Sequence, residues 1–213
     1  MVYSTSMRDV LRKRSRREDY AQATRQAIID AARRLFAERG YFATKVDDIA
    51  AEARVAPATV YAVTGGKRGL LDELIRLWTT DPIVEATTSH AGASDDPTAI
   101  IRELASATRQ MREQFADIMR LLLTTAPHDR EVAAQLRAAT GVYRSAFTPF
   151  AKRLEELGAL RAELAVADAV DLLWFYFGYS SLFTLHDDNG WSYERAEQWL
   201  AAQASRELLS SGT

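Results

Sequence analysis

Apolar residues recur every three or four positions through most of this chain, and no segment alternates in the manner of a half-buried strand. The fold is therefore expected to be all-α. At 213 residues the chain is long enough to bury a full core. It contains no cysteine, which removes disulfides, thiolate nucleophiles and cysteine-ligated zinc together and fits a reducing compartment.

The first helix is read from Tyr20, with Ile28, Ala31, Ala32, Leu35 and Phe36 as its stripe and Gly40 as its stop. Thr44 followed three residues later by Asp47 has the form of a capping box. It opens a short second helix with Val46, Ile49, Ala50 and Ala53 on one face. After Arg54-Val55-Ala56, Pro57 starts a third short helix carrying Val60 and Val63, which Gly65-Gly66 ends. A fourth runs from Lys67 to about Thr80. Short helix, tight turn, short helix, with a longer helix in front, is the helix-turn-helix arrangement.

Charge points the same way. Residues 1–68 carry 14 Lys and Arg against 8 Asp and Glu, although the whole chain has a net charge of -2. A basic N-terminal part on an acidic body suits a phosphate-facing module. Residues 1–19, with Arg8, Arg12, Lys13, Arg14, Arg16 and Arg17, form a flexible basic arm that either orders on DNA or stays a solvated tail. The small helical domain then spans 20–66 and a larger helical domain 67–213.

The larger domain begins in earnest after a loop at 82–97. Asp96-Pro97 opens a long helix with Ile100, Ile101, Leu104, Thr108, Met111, Phe115, Ile118, Met119 and Leu122 at heptad-like spacing, ending before Pro127. Further helix is expected over 129–157, broken near Gly141 or Pro149 and stopped by Gly158. Val166 to Asp187 is apolar nearly all round, and Ser192 caps a last helix with Ala196, Trp199, Leu200 and Leu208. Two terminal helices with spare apolar faces suggest a subunit interface.

The wording of residues 25–74 resembles the N-terminal domain of the TetR family of bacterial transcriptional regulators. The match runs in order through Ala31-Ala32, Leu35-Phe36, Gly40-Tyr41, Thr44, Val46, Ile49-Ala50, Val55, Thr59, Tyr61 and Lys67 with Leu70. It implies a ligand-responsive regulator, a repressor that binds palindromic operator DNA as a homodimer. Thr44 would meet phosphate through its hydroxyl. Pro57, Ala58 and Thr59 would lie nearest base edges, and Tyr61 and Lys67 would add phosphate contacts.

The sequence also departs from the family pattern. Arg54 stands at a usual turn glycine, where a left-handed backbone costs about 1 kcal/mol, or a different turn forms. Ala56 replaces a serine cap, at a loss of about 1 kcal/mol. Lys45 replaces a small hydroxyl residue, and Lys45 and Arg54 can recover affinity at phosphate. Val63-Thr64 stand at a common aromatic position and Gly66 at another cap, so a looser junction before Lys67 is expected. A helical ligand-binding or interaction dimer that has lost DNA binding is the alternative.

The resemblance further implies that the larger domain takes a small-molecule inducer and dimerises through the two C-terminal helices. Met111, Phe115, Tyr143, Phe147, Trp174, Tyr176 and Phe177 could line an apolar cavity, although each is also ordinary core filling. No catalytic constellation is visible: His90, His128 and His186 are scattered, and no glycine-rich phosphate loop follows a strand. No enzyme, metal or cofactor is expected. The basic N-terminus lacks the apolar stretch of a secretory signal, and the run Leu172–Leu185 is too short and interrupted for a bilayer span, so a cytoplasmic protein is expected.

Overall fold

The computed structural model describes residues 16–83, 86 and 94–210. Arg8, Arg12, Lys13 and Arg14 of the basic arm, and His90, lie outside the described residues. Two compact units divide between Leu74 and Ile75. Regular structure among the described residues is helical, apart from one isolated bridge between Leu160 and Leu209.

In the first unit, α1 (Arg16–Arg39) begins before Tyr20, with Glu18 and Asp19 in its first turn, where carboxylates favour the positive end of the helix dipole. Its start carries no apolar signal, which is why periodicity places it later. Ile28, Ala31, Ala32, Leu35 and Phe36 are buried, and Gly40, at φ +79°, ends the helix. Then come α2 (Val46–Glu52), α3 (Pro57–Thr64) and α4 (Lys67–Thr79). Ile49, Ala50 and Val60 from the short helices and Leu70, Leu71 and Leu74 from α4 are buried with the α1 stripe.

The second unit is built on α5 (Pro97–Thr125). The Asp96 carboxylate accepts hydrogen bonds from the Thr98 and Ala99 amides at 2.9 and 3.2 Å, and Pro97 occupies the first helical turn. Two satisfied amides and a fixed φ explain why the helix starts here. The stretch expected over 129–157 is two helices, α6 (Arg130–Ser145) and α7 (Thr148–Glu156). The break falls at Ala146-Phe147, just ahead of Pro149, whereas Gly141 stays inside α6. Gly158, at φ +62°, follows α7.

The apolar segment from Val166 is likewise interrupted. It forms α8 (Val166–Phe177), a short α9 (Tyr179–Phe183) and a widened turn over Thr184–Asp188. Gly178 marks the interruption: a Cβ there would sit 2.4 Å from the Trp174 carbonyl oxygen, so no larger residue fits this close approach. The last helix, α10 (Tyr193–Leu208), is capped by Ser192, whose hydroxyl accepts from the Arg195 amide at 3.2 Å. Its main packing partner is α5, and Arg109 of α5 donates to Glu197 of α10 at 2.5 Å.

The core of this unit joins Ile100, Ile101 and Leu104 to Phe147, Phe150 and Leu154, to Leu173 and Phe177, and to Leu200 and Leu208. None of the helices among the described residues is long and apolar enough to cross a membrane. Asp96→Ala should remove the α5 cap and cost about 1 kcal/mol. The expected outcome is a lower midpoint of thermal unfolding followed by circular dichroism, with little change in native helicity.

Candidate functional site

The chain turns from α2 into α3 through a Schellman arrangement. The Val55 amide donates to the Ala50 carbonyl at 2.9 Å and the Arg54 amide to the Ala51 carbonyl at 3.1 Å. That pattern needs a left-handed residue after the helix, a position usually filled by glycine. Arg54 fills it, at φ +57°. Of the two turns the sequence allows, the strained one therefore forms, and the exposed Arg54 side chain stands between the two helices.

Thr44 differs from its expected role. It is 1% exposed, and its hydroxyl donates to the carbonyls of Gly40 at 2.8 Å and Leu35 at 3.2 Å. The hydroxyl closes the end of α1 and is not presented to a phosphate. The residue preceding α2 is Lys45, whose amide donates to the Asp48 carboxylate at 3.0 Å. The capping pattern is thus shifted by one residue, because Asp47 and Asp48 both stand near the helix start.

On α3, Val60 is buried, while Pro57, Ala58, Tyr61 and Ala62 are exposed and Thr59 is half-buried. The helix presents one face to solvent and seats the other on the core. Tyr61 is 57% exposed, large for an aromatic side chain, and a Cβ at Gly66 would lie 2.9 Å from its ring. Ala56 precedes α3 without a side-chain cap; its carbonyl accepts from the Thr59 amide at 2.9 Å.

The junction into α4 is closely held, contrary to the looser one expected. The Arg25 guanidinium donates to the Val63 carbonyl at 2.7 Å and pairs with Glu73 at 2.5 Å. Gly69 is needed where α4 meets the end of α3, since a Cβ there would collide with the Thr64 carbonyl at 1.6 Å. Lys67 is half-buried, with its ammonium 4.4 Å from the Tyr41 ring centroid. Burial lowers its pKa below the ordinary lysine value.

The sequence model described as bacterial regulatory proteins, tetR family, matches residues 28–74, which include α2, the turn and α3. A relative, the HTH-type transcriptional regulator BetI of Burkholderia mallei, is 28% identical over 154 residues, covering 70% of this chain and 79% of BetI. The SmeT–triclosan complex superposes with a TM-score of 0.73 at 20% identity, covering 90% of this chain and 94% of that one. The TetR family transcriptional regulator PfmR of Thermus thermophilus gives 0.66 at 24% identity, covering 87% and 96%. Residues 28–74 match the N-terminal regulatory domain of the TetR family, and the chain shares the fold of a TetR-family structure.

The matched segment carries the DNA-binding helix-turn-helix of that family, and the second unit has the helical architecture of its structural neighbours. Of the residues expected to line a cavity there, Met111, Phe115, Phe147 and Phe177 are buried. Tyr143 and Trp174 meet edge to face at 5.6 Å between ring centroids, and both contact Phe147. Tyr176 is apart from this group: with Phe175, Trp199 and Gln203 it lines a cleft between α8, α9 and α10. Tyr179 joins the aromatic cluster instead, 5.3 Å from Trp174 and 5.7 Å from Tyr143.

Arg112 is absent from the residues that sequence reasoning singles out. It is fully buried, beside Met119 and the rings of Tyr143, Tyr179 and Phe183. Its place in the repeat Thr108, Met111, Phe115, Met119 is the available signal: a cation stands in an apolar stripe. The guanidinium donates to the Gly178 carbonyl at 2.8 Å and the Phe177 carbonyl at 3.4 Å, meeting acceptors freed where α8 breaks.

Burial raises the Tyr179 pKa from 10.0 to about 12, with Tyr143 adding to the rise and Thr140 and Arg112 opposing it. A phenol whose folded pKa is raised favours folding below the unfolded value and loses that contribution as pH climbs through the folded one. Thermal stability should therefore fall between about pH 10 and 12 by on the order of 2 kcal/mol, and Tyr179→Phe should reduce that fall. In the first unit, Arg54→Gly should relieve the left-handed arginine and stabilise by up to about 1 kcal/mol, read as a shift of the urea midpoint at constant slope.

Proposed function

We propose that this chain is a TetR-family regulator, a cytoplasmic repressor that binds a palindromic operator as a homodimer and leaves it when a small-molecule inducer occupies the second unit. The observation that carries the reading is the solvent-facing side of α3, Pro57, Ala58 and Tyr61, flanked by the exposed cations Lys45 and Arg54. A recognition helix must be supported on one side and free on the other.

In this reading Pro57, Ala58 and Thr59 meet base edges, the Thr59 methyl or hydroxyl doing so at thymine or a base acceptor. Tyr61 gives its hydroxyl to a phosphate, and Lys45 and Arg54 give charge. Lys67 contributes a further phosphate contact from its place over Tyr41. Thr44 acts indirectly, by fixing the chain that leads into α2.

Phe175, 67% exposed on α8, and Trp199, 43% exposed on α10, support pairing of two copies through the C-terminal helices. Met111, Phe115, Tyr143, Phe147, Trp174 and Phe177 serve the inducer, a role consistent with the likeness to SmeT, whose structure contains triclosan. Tyr176 belongs with the dimer face or the cleft beside it. Inducer and operator then oppose each other by the same factor in both directions, as linkage requires.

Selection from a random duplex pool should return a two-fold symmetric sequence. On that duplex, Tyr61→Phe should weaken binding by about two- to tenfold. Lys45→Ala and Lys67→Ala should each lower the slope of log affinity against log salt by about 0.9. Helicity and sedimentation should be unchanged in all three. A monomer in sedimentation, or no binding to any duplex at low salt, would overturn the repressor reading.

A further inference from the structure

Arg112 is 0% exposed, and among the described residues no carboxylate forms an ion pair with it. Its acceptors are carbonyl oxygens of Phe177 and Gly178, the Tyr143 hydroxyl at 3.3 Å and the Met119 sulfur at 3.2 Å, and its buried Nε has no hydrogen-bond partner. These groups solvate a guanidinium without cancelling its charge. Three rings, of Tyr143, Tyr179 and Phe183, lie with centroids 5.4–5.6 Å from its central carbon and offer only their quadrupoles.

A buried charge left unpaired is among the costlier features a core can contain. A neutral side chain could fill the same space, and glutamine could still donate to a carbonyl of the α8 break. What arginine adds is the positive charge and the spare Nε–H, both suited to a planar anion.

The surroundings indicate the rest of such a ligand. A cleft of about 490 Å³ is walled by Trp174, Tyr179, Ser180 and Ser181. Tyr179 is shared: it lines this cleft, and its ring also belongs to the shell of Arg112. Tyr143 packs against both Trp174 and Tyr179 and backs that wall. At the cleft, Arg144 and Asp171 are paired with each other, so neither supplies a free charge of the opposite sign.

We infer that the second unit recognises an anionic amphiphile, an aromatic or other apolar body bearing a carboxylate or similar planar acid, with the acid group reaching Arg112 past Tyr179 and the body in the cleft against Trp174 and Tyr179. The inference rests on the reading of this unit as a small-molecule site and names the charge of its ligand. It also gives the ligand a lever. An acid group on the guanidinium competes with the Phe177 and Gly178 carbonyls, so occupancy loosens the bonds that hold the break between α8 and α9.

Three probes sharing one ring system test it: 2-naphthoate, 2-naphthalenemethanol and (2-naphthylmethyl)trimethylammonium, titrated into the full chain by calorimetry. The carboxylate should bind roughly ten- to a hundredfold more tightly than the alcohol, and the ammonium most weakly. In Arg112→Met that preference should vanish, and in Arg112→Lys part of it should return. The ranking in the unmodified protein is decisive even if a variant does not fold. Equal binding of carboxylate and alcohol overturns the charge assignment and leaves the small-molecule site standing. Failure of all three to bind overturns both, while operator binding, measured separately on the free protein, decides the repressor reading independently.

Discussion

Helices of seven and eight residues do not persist alone in water, because the cost of nucleating a helix is not recovered over two turns. Everything that α2 and α3 present to a partner therefore depends on their being held against α1. Ile49, Ala50 and Val60 supply the apolar part of that hold. Thr44 supplies the directional part, since its buried hydroxyl satisfies carbonyls at the end of α1 and fixes where the chain leaves for α2. Arg25 and Glu73 do the same at the far side, tying α1 to the end of α3 and to α4. The exposed face of α3 is thus rigid for reasons that lie beneath it.

The helix starts and stops with a side-chain or backbone cause are readable from sequence. Asp96-Pro97, Pro57, Ser192, Gly40 and Gly158 each act through one local requirement: a capping oxygen, a fixed φ or a positive φ. Sequence reasoning fails where a tertiary demand overrides the better local choice. Thr44 with Asp47 and Lys45 with Asp48 have the same spacing, and tertiary demand for the Thr44 hydroxyl elsewhere decides between them. The break at Gly178 is similarly hidden, since an apolar run reads the same whether it is one helix or two, whereas the break at Ala146-Phe147 lies beside the Pro149 that signals it.

Arg112 escapes for a different reason. Sequence periodicity asks which residues are apolar on a face, and one cation in a long stripe counts as noise. Only burial shows that this cation is enclosed by rings and carbonyls, with no counter-charge among the described residues. Of the residues expected to line a cavity, Tyr176 stands apart from the ring cluster through the same coarseness: on a helix apolar nearly all round, periodicity cannot say which side faces the interior and which faces a neighbouring helix. The cluster that forms uses Tyr179 instead, placed there by the break at Gly178.

The departures from family pattern acquire meaning when sorted by what each does to the backbone. Ala56 omits a cap hydroxyl, and α3 still begins, because Pro57 fixes the first φ and the Ala56 carbonyl takes the Thr59 amide. Arg54 is the opposite case: the backbone keeps the left-handed turn that glycine would accept without strain, and the strain is retained. A sequence that tolerates about 1 kcal/mol of local strain at an exposed turn gains, at that same point, a charged side chain between the two helices. Departures from local rules are expected where function competes with stability. Here the competition falls on one residue, and its two effects have opposite signs: Arg54 weakens the turn it sits in and strengthens the positive field beside α3.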